Sequence, residues 1–176
     1  RGLSSRRRNG VLYWQAGVSV DCLHFRSRNC RDLAAVLDFH VVLMTLKERM
    51  PAVEAREAFI ERVISQILQE YGLDAERDMG LRVSVSIWSY PLLGRELNTP
   101  WLPFSRMRDV MRIWGAVVRR FALLKRHGCN IYRTYAPATL STWWSVVKHE
   151  YVQSWDNAGC NTTSMAERLD AEYAAR

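Results

Sequence analysis

Lysine is nearly missing from this chain. Only three of its 25 basic residues are Lys; the other 22 are Arg. The basic surface is therefore one of planar guanidinium groups, which grip phosphate or carboxylate with two parallel hydrogen bonds, as a point-charge ammonium does not. Paired cysteine motifs are missing too. Cys22, Cys30, Cys129 and Cys160 form neither CxxC nor a paired Cx9C framework, and in a chain with enough residues for its own core this predicts reduced thiols. No apolar run is long enough for a membrane span. The most hydrophobic stretch, "VLDFHVVLMTL" at 36–46, belongs to an apolar run of about 13 residues that ends before Lys47, against the roughly 20 that a bilayer requires.

Catalytic signatures are lacking as well. There is no nucleophile elbow, phosphate loop, HExxH or convincing carboxylate pair. The expectation is a protein that is not an enzyme and has neither cofactor nor metal. Cys22-x-His24 and His127-x-Cys129 supply four zinc-type donors, but not at a known finger spacing. His40 has Leu43 and Met44 at i+3 and i+4, where a second ligand or a carboxylate would be needed, so it reads as a core or interface histidine bonded to a backbone carbonyl.

What is present begins with charge. The net charge is +7, and it is unevenly spread. Residues 1–31 carry seven Arg against one acid, and residues 100–135 carry eight basic groups against Asp109. Between them, residues 32–99 hold eleven acidic and seven basic groups, while residues 136–176 are net −2. Two positive blocks around an acidic middle predict anionic partners: RNA, lipid head groups or an acidic protein face. The opening "RGLSSRRRNG" is Arg- and Ser-rich and the first acid is Asp21. Such a composition matches what remains of a mitochondrial transit peptide, or a nucleic-acid-binding arm.

Hydrophobic periodicity predicts helices at about 31–50 (N-cap Asn29), from Pro51 to Gly72, at 105–127, at about 140–155 and, after a capping box at Ser164-x-x-Glu167, in the tail. The first is apolar nearly all round and so is expected inside a core. The first two should form an antiparallel hairpin with Leu43 and Ile64 in its core. "LRVSVSIW" at 81–88 alternates like a strand, and the only partner in view lies near 11–20. "YPLLGRELNTPWLPF" reads as a Pro-rich loop. The expected fold is mainly α: a helical bundle with a helical hairpin, a Pro-rich loop and an extended basic N-terminal arm. The expected organisation is an extension at 1–28, a helical domain at 29–158 and a helical tail at 159–176.

On the 105–127 helix, Arg108, Arg112, Arg119 and Arg126 fall within a narrow arc nearly opposite Val110, Trp114, Val117, Phe121 and Leu124. Together with Arg6, Arg7 and Arg8 they are the candidate partner-binding residues, since four cations on one line match a row of phosphates or a bank of carboxylates.

"LDFHVVLMTLKERMPAVEAREAFIERVISQILQEYG" resembles the ubiquinol–cytochrome c chaperone domain, with His40-Val41, Leu46-Lys47 and Phe59 at the places of that family's His-Val pair, helix end and second-helix start; "DVMRIWGAVVRRF" is similar to its closing Trp-containing helix. The resemblance implies an all-helical mitochondrial protein handling newly made cytochrome b near the inner membrane. The functional expectation is a non-catalytic accessory subunit or assembly chaperone-like protein of a respiratory complex or ATP synthase, on the matrix side of the inner membrane, held within a large multi-subunit complex. The alternative is an RNA-binding mitochondrial ribosomal protein.

Overall fold

The computed structural model describes residues 2–50, 57–116 and 131–175. Strands β1 (Leu3–Arg8), β2 (Val11–Val20) and β3 (Leu23–Arg26) come first, then helices α1 (Leu33–Arg49) and α2 (Glu57–Glu70). Strand β4 (Arg82–Ile87), the short helix α3 (Tyr90–Leu93) and strands β5 (Leu97–Asn98) and β6 (Leu102–Pro103) follow. Residues 107–116 form helix α4, and α5 (Ile131–Thr134), α6 (Pro137–Asn157) and α7 (Thr163–Ala174) complete the chain. The six strands make a curled antiparallel sheet in the order β1-β2-β3-β4-β5, with β6 also paired to β4. With 53% helix and 21% strand, this is an α+β fold. The expected mainly-α bundle, and the all-helical fold that the family resemblance implied, are both overturned by that sheet.

The basic N-terminal arm is the sheet's first hairpin. Arg8 and Val11 pair across Asn9 and Gly10, both in the left-handed region at φ 51° and 76°. Asn-Gly is the preferred pair for such a two-residue turn, whose twist matches that of the strands it joins. The register runs from Leu3 opposite Ala16 to Arg8 opposite Val11. A second hairpin follows directly, from Gly17 opposite Arg26 to Val20 opposite Leu23. Beyond Arg26 the pairing resumes at Trp14 opposite Cys30, so the third-strand side holds one residue more than β2. The buried Ser27 fills this bulge: its hydroxyl accepts from the Ala16 N–H at 3.0 Å and donates to the Arg28 carbonyl at 3.0 Å.

The chain divides into two compact units. In the first (1–84 and 101–108), α1 lies against β2 and α2. Its cap is Asp32 and not Asn29, because the Asp32 carboxylate accepts from the Ala34 N–H at 2.9 Å. Val36, Phe39, Val42, Leu43 and Leu46 are buried, yet Leu33, Leu37, Val41 and Met44 on the other side are exposed, Val41 by 52%. The helix is therefore covered on one side only. Ile60, Ile64, Ile67 and Leu68 of α2 are buried as the three-four spacing predicts. The helices do not pair in an antiparallel sense, which would set Arg49 beside the first turn of α2. Arg49 is instead bound to Glu70 in the last turn at 2.7 Å, and the hydroxyls of Thr45 and Tyr71 meet at 3.0 Å.

The loop after α2 is built from carboxylates. Asp74 Oδ1 accepts from the N–H groups of Glu76 and Arg77, Asp78 accepts from the Asp74 N–H at 2.8 Å, and Glu76 accepts from the Ser105 N–H at 2.7 Å. Beyond it, β4 forms where the alternation predicted a strand, and its partners include segments of the Pro-rich stretch. Arg82 and Val83 pair with Pro103 and Leu102 in the first unit. In the second unit (85–100 and 109–176), Ser86 and Ile87 pair with Asn98 and Leu97. The second unit also docks α7 on α6: Asp170 binds Lys148 at 2.8 Å and the Trp144 indole N–H at 3.2 Å, while Trp144 stacks on Tyr173. The capping box does not form. Asn161 Oδ1 accepts from the Thr163 N–H at 3.1 Å, so the helix begins before Ser164.

Candidate anion-binding sheet face

Along β2 the side chains alternate between two environments. Ala16 and Val18 are buried on the side where α1 packs. Tyr13, Gln15, Gly17 and Ser19 stand on the opposite face, and the register adds their cross-strand neighbours: Arg6 opposite Tyr13, Ser4 opposite Gln15, Arg26 opposite Gly17 and His24 opposite Ser19. Gly17 has no side chain, so this face has an open depression of about 400 Å³ over it, reaching to Trp101. The alternation of VLYWQAGVSV thus sets Leu12, Trp14, Ala16, Val18 and Val20 on the α1 side and Val11, Tyr13, Gln15, Gly17 and Ser19 on the outer one.

Arg6 and Arg26 share this face, and Arg82, on the neighbouring β4, acts on Arg26 through its charge. Arg26 lies over the Trp101 ring, 3.9 Å from its centroid. Burial first, then the positive charges of Arg82 and Arg6, hold the Arg26 guanidinium below its ordinary pKa. Among the described residues no carboxylate pairs with Arg6, Arg26 or Arg82. Arg26 Nε is buried without a hydrogen-bond partner among them. Like charges brought together without counter-charge raise the energy of the folded chain, and an incoming anion relieves that cost. The flanking polar groups are fixed. The Gln15 amide N–H donates to the Ser27 carbonyl at 2.7 Å, Arg31 donates to the Tyr13 hydroxyl at 3.2 Å, and Ser19 and His24 Nδ1 are hydrogen-bonded at 2.7 Å.

Of the residues singled out in the sequence, Arg6, Arg7 and Arg8 are exposed on β1, with Arg6 and Arg8 on the face just described and Arg7 on the other. Arg108 is exposed in α4. Arg112 is bound to Glu150 at 2.7 Å. Arg119 and Arg126 lie outside the described residues, as do His127 and Cys129. Arg26, Arg82, Tyr13, Gln15 and Trp101 were not candidates on sequence. The Asn9-Gly10 pair was the available signal, since it makes the first strands a hairpin and thereby sets their outward faces. His40 differs in detail: its Nδ1 is buried with no hydrogen-bond partner, and its ring lies where a side chain on Gly2 would fall.

Among the described residues, no cluster of three or more His, Cys, Asp or Glu side chains could hold a metal, and no helix is long and apolar enough to cross a membrane. Comparisons with protein families, with curated proteins and with solved structures give no match.

Proposed function

We propose that this chain is a non-catalytic RNA-binding protein, which takes the phosphate backbone on the outer face of β1–β4 and works within a large mitochondrial assembly of the ribosomal kind. One observation carries the reading: Arg6 and Arg26 share one face beside Trp101 and Tyr13, the charge of Arg82 on β4 also acts on Arg26, and among the described residues no carboxylate pairs with any of the three. Clustered Arg next to aromatic rings suits a polymer that presents phosphates and bases together. The mitochondrial setting rests on the composition of residues 1–10.

The competing reading, an accessory subunit or assembly chaperone-like protein of a respiratory complex, drew on the family resemblance. The Arg108/Arg112/Arg119/Arg126 stripe suits phosphates and carboxylates alike, and Arg112 already has Glu150 as its partner within the chain, which favours the sheet face over the stripe as the binding surface.

The test is RNA affinity at 50 and 200 mM salt for the wild type and for Arg6→Ala/Arg82→Ala. Steep salt dependence is expected, with the slope reduced by about one unit or less per arginine removed. Salt-independent or undetectable RNA binding, with respiratory subunits and no rRNA on copurification, would reject this reading for the accessory-subunit one.

A further inference from the structure

Resting on the reading of the β1–β4 face as an RNA site, we infer that the RNA it takes is single-stranded, with one unpaired base seated in the depression over Gly17 and Gln15 reading that base.

The arginines supply the first argument. Arg6 stands on β1, Arg26 on β3 and Arg82 on β4, so they cross the sheet over three strand spacings, about 14 Å. Tyr13, Gln15 and Gly17 of β2 lie between β1 and β3. Arg26 lines the recess over Gly17 and, together with Arg6, the smaller recess beside it, so phosphate-binding groups border these recesses on the open face of β2. A duplex presents its phosphates on the outside with its bases stacked away in the helix, and would touch the rim and leave the recess empty. A splayed single strand can set phosphates on the rim and a base inside.

The floor of the recess supplies the second. A Cβ on Gly17 would lie 3.3 Å from the Phe25 carbonyl oxygen, a tight contact, and any longer side chain there would project over the recess. The recess, about 400 Å³, is in the range of small-ligand sites. One wall is the stacked Arg26–Trp101 pair, which offers an edge or a face to a planar ring.

The third argument concerns specificity. Gln15 borders the recess over Gly17 and also the smaller one beside Arg6 and Tyr13. Its amide nitrogen is tied to the Ser27 carbonyl, and Ser27 is itself locked in the bulge. The carboxamide is thereby held in one orientation, which leaves its oxygen and second N–H for a base edge. A side chain held in this way discriminates better than a free one, because no rotamer freedom is lost on binding.

The experiment measures binding of a fluorescent 12-nucleotide single-stranded RNA and of the duplex of the same sequence to the full chain at 100 mM salt. The single strand should bind at least tenfold more tightly. Gly17→Val should remove that preference by filling the recess, and Gln15→Ala, on a fold confirmed by its thermal melt, should flatten the ranking among A-, C-, G- and U-rich strands while leaving the salt slope unchanged. Should Gly17→Val fail to fold, Gln15→Ala and the strand preference of the wild type carry the test alone. Duplex binding as tight as, or tighter than, single-strand binding overturns this inference and leaves the RNA reading standing. Binding to neither overturns both. An unchanged ranking in Gln15→Ala overturns the assignment of Gln15 as the residue that reads the base.

Discussion

The Arg26 guanidinium carbon lies over the Trp101 ring, 3.9 Å from its centroid, and both residues come from the same compact unit although 75 positions separate them in the chain. The ring covers one side of a cation that Arg6 and Arg82 destabilise. A double-mutant cycle with Arg26→Ala and Trp101→Ala should give a favourable coupling of about 0.5–1 kcal/mol in urea melts. Additive effects would mean that the stacked geometry contributes nothing to stability.

Ile64 is 2% exposed, and it shares a compact apolar cluster with Val42, Leu43 and Leu46 of α1. Ile64→Ala should cost about 2–5 kcal/mol, the usual range for a buried aliphatic side chain cut back to Ala. Guanidinium melts with an unchanged slope would measure it, and a loss below about 0.5 kcal/mol would contradict the packing.

Two left-handed glycines should respond differently to alanine. At Gly10, φ is +76° and a Cβ meets nothing within 4 Å, so Gly10→Ala should cost only the backbone penalty of about 1–2 kcal/mol. At Gly80, φ is +53° and a Cβ would come within 2.8 Å of the Arg28 Cβ. Gly80→Ala should therefore be the more damaging of the two, and equal melting temperatures would contradict the close approach of Arg28.

The carboxylate loop should make stability depend on pH. The Arg77 side chain, then the Asp74 N–H, hold the Asp78 carboxyl at about 2, below its ordinary 3.8. A carboxyl that is more acidic in the folded than in the unfolded chain stabilises the fold above pH ~4, and the contribution disappears as pH falls from there through about 2. Glu70, Glu76 and Asp170 shift in the same direction. The urea midpoint of the wild type should fall across that window. Asp78→Asn should be less stable at pH 5, and the gap should close near pH 2; a gap independent of pH would show that its hydrogen bonds do not depend on its charge.

Asp170 holds α7 to α6 through Lys148 and Trp144. Asp170→Ala should release α7 locally, seen as faster trypsin cleavage after Arg168, with little change in the global melt. Cleavage at the wild-type rate would show that the Trp144–Tyr173 stack suffices to hold the helix.

Helices α2 and α6 were legible in the sequence because each carries its own periodic apolar stripe. Ile60, Ile64, Ile67 and Leu68 of α2, and Leu140, Trp144, Val147 and Tyr151 of α6, are buried as their spacing predicts. The strand at 82–87 was legible too, from alternation alone. The sheet was not, because its neighbours come from segments with weak signals: two-residue strands within a Pro-rich stretch, and a β1 whose six residues are all exposed and so lack an apolar face. For the same reason the basic residues 6–8 looked like an arm. The candidate site went unseen because it is assembled across strands. Arg26, Arg82 and Trp101 form no motif in the chain, and the pairing of β4 with β6 next to the first two hairpins is what brings them near one another.

Among the described residues strand β1 ends the sheet, and no strand pairs with the outer side of its backbone, the kind of border onto which a foreign strand can add. Arg6, Arg7 and Arg8 guard that border, since a second copy of the chain approaching edge to edge would meet their charge with its own. Removing that charge by substitution would take away the guard and leave a border that the chain's own copies could join.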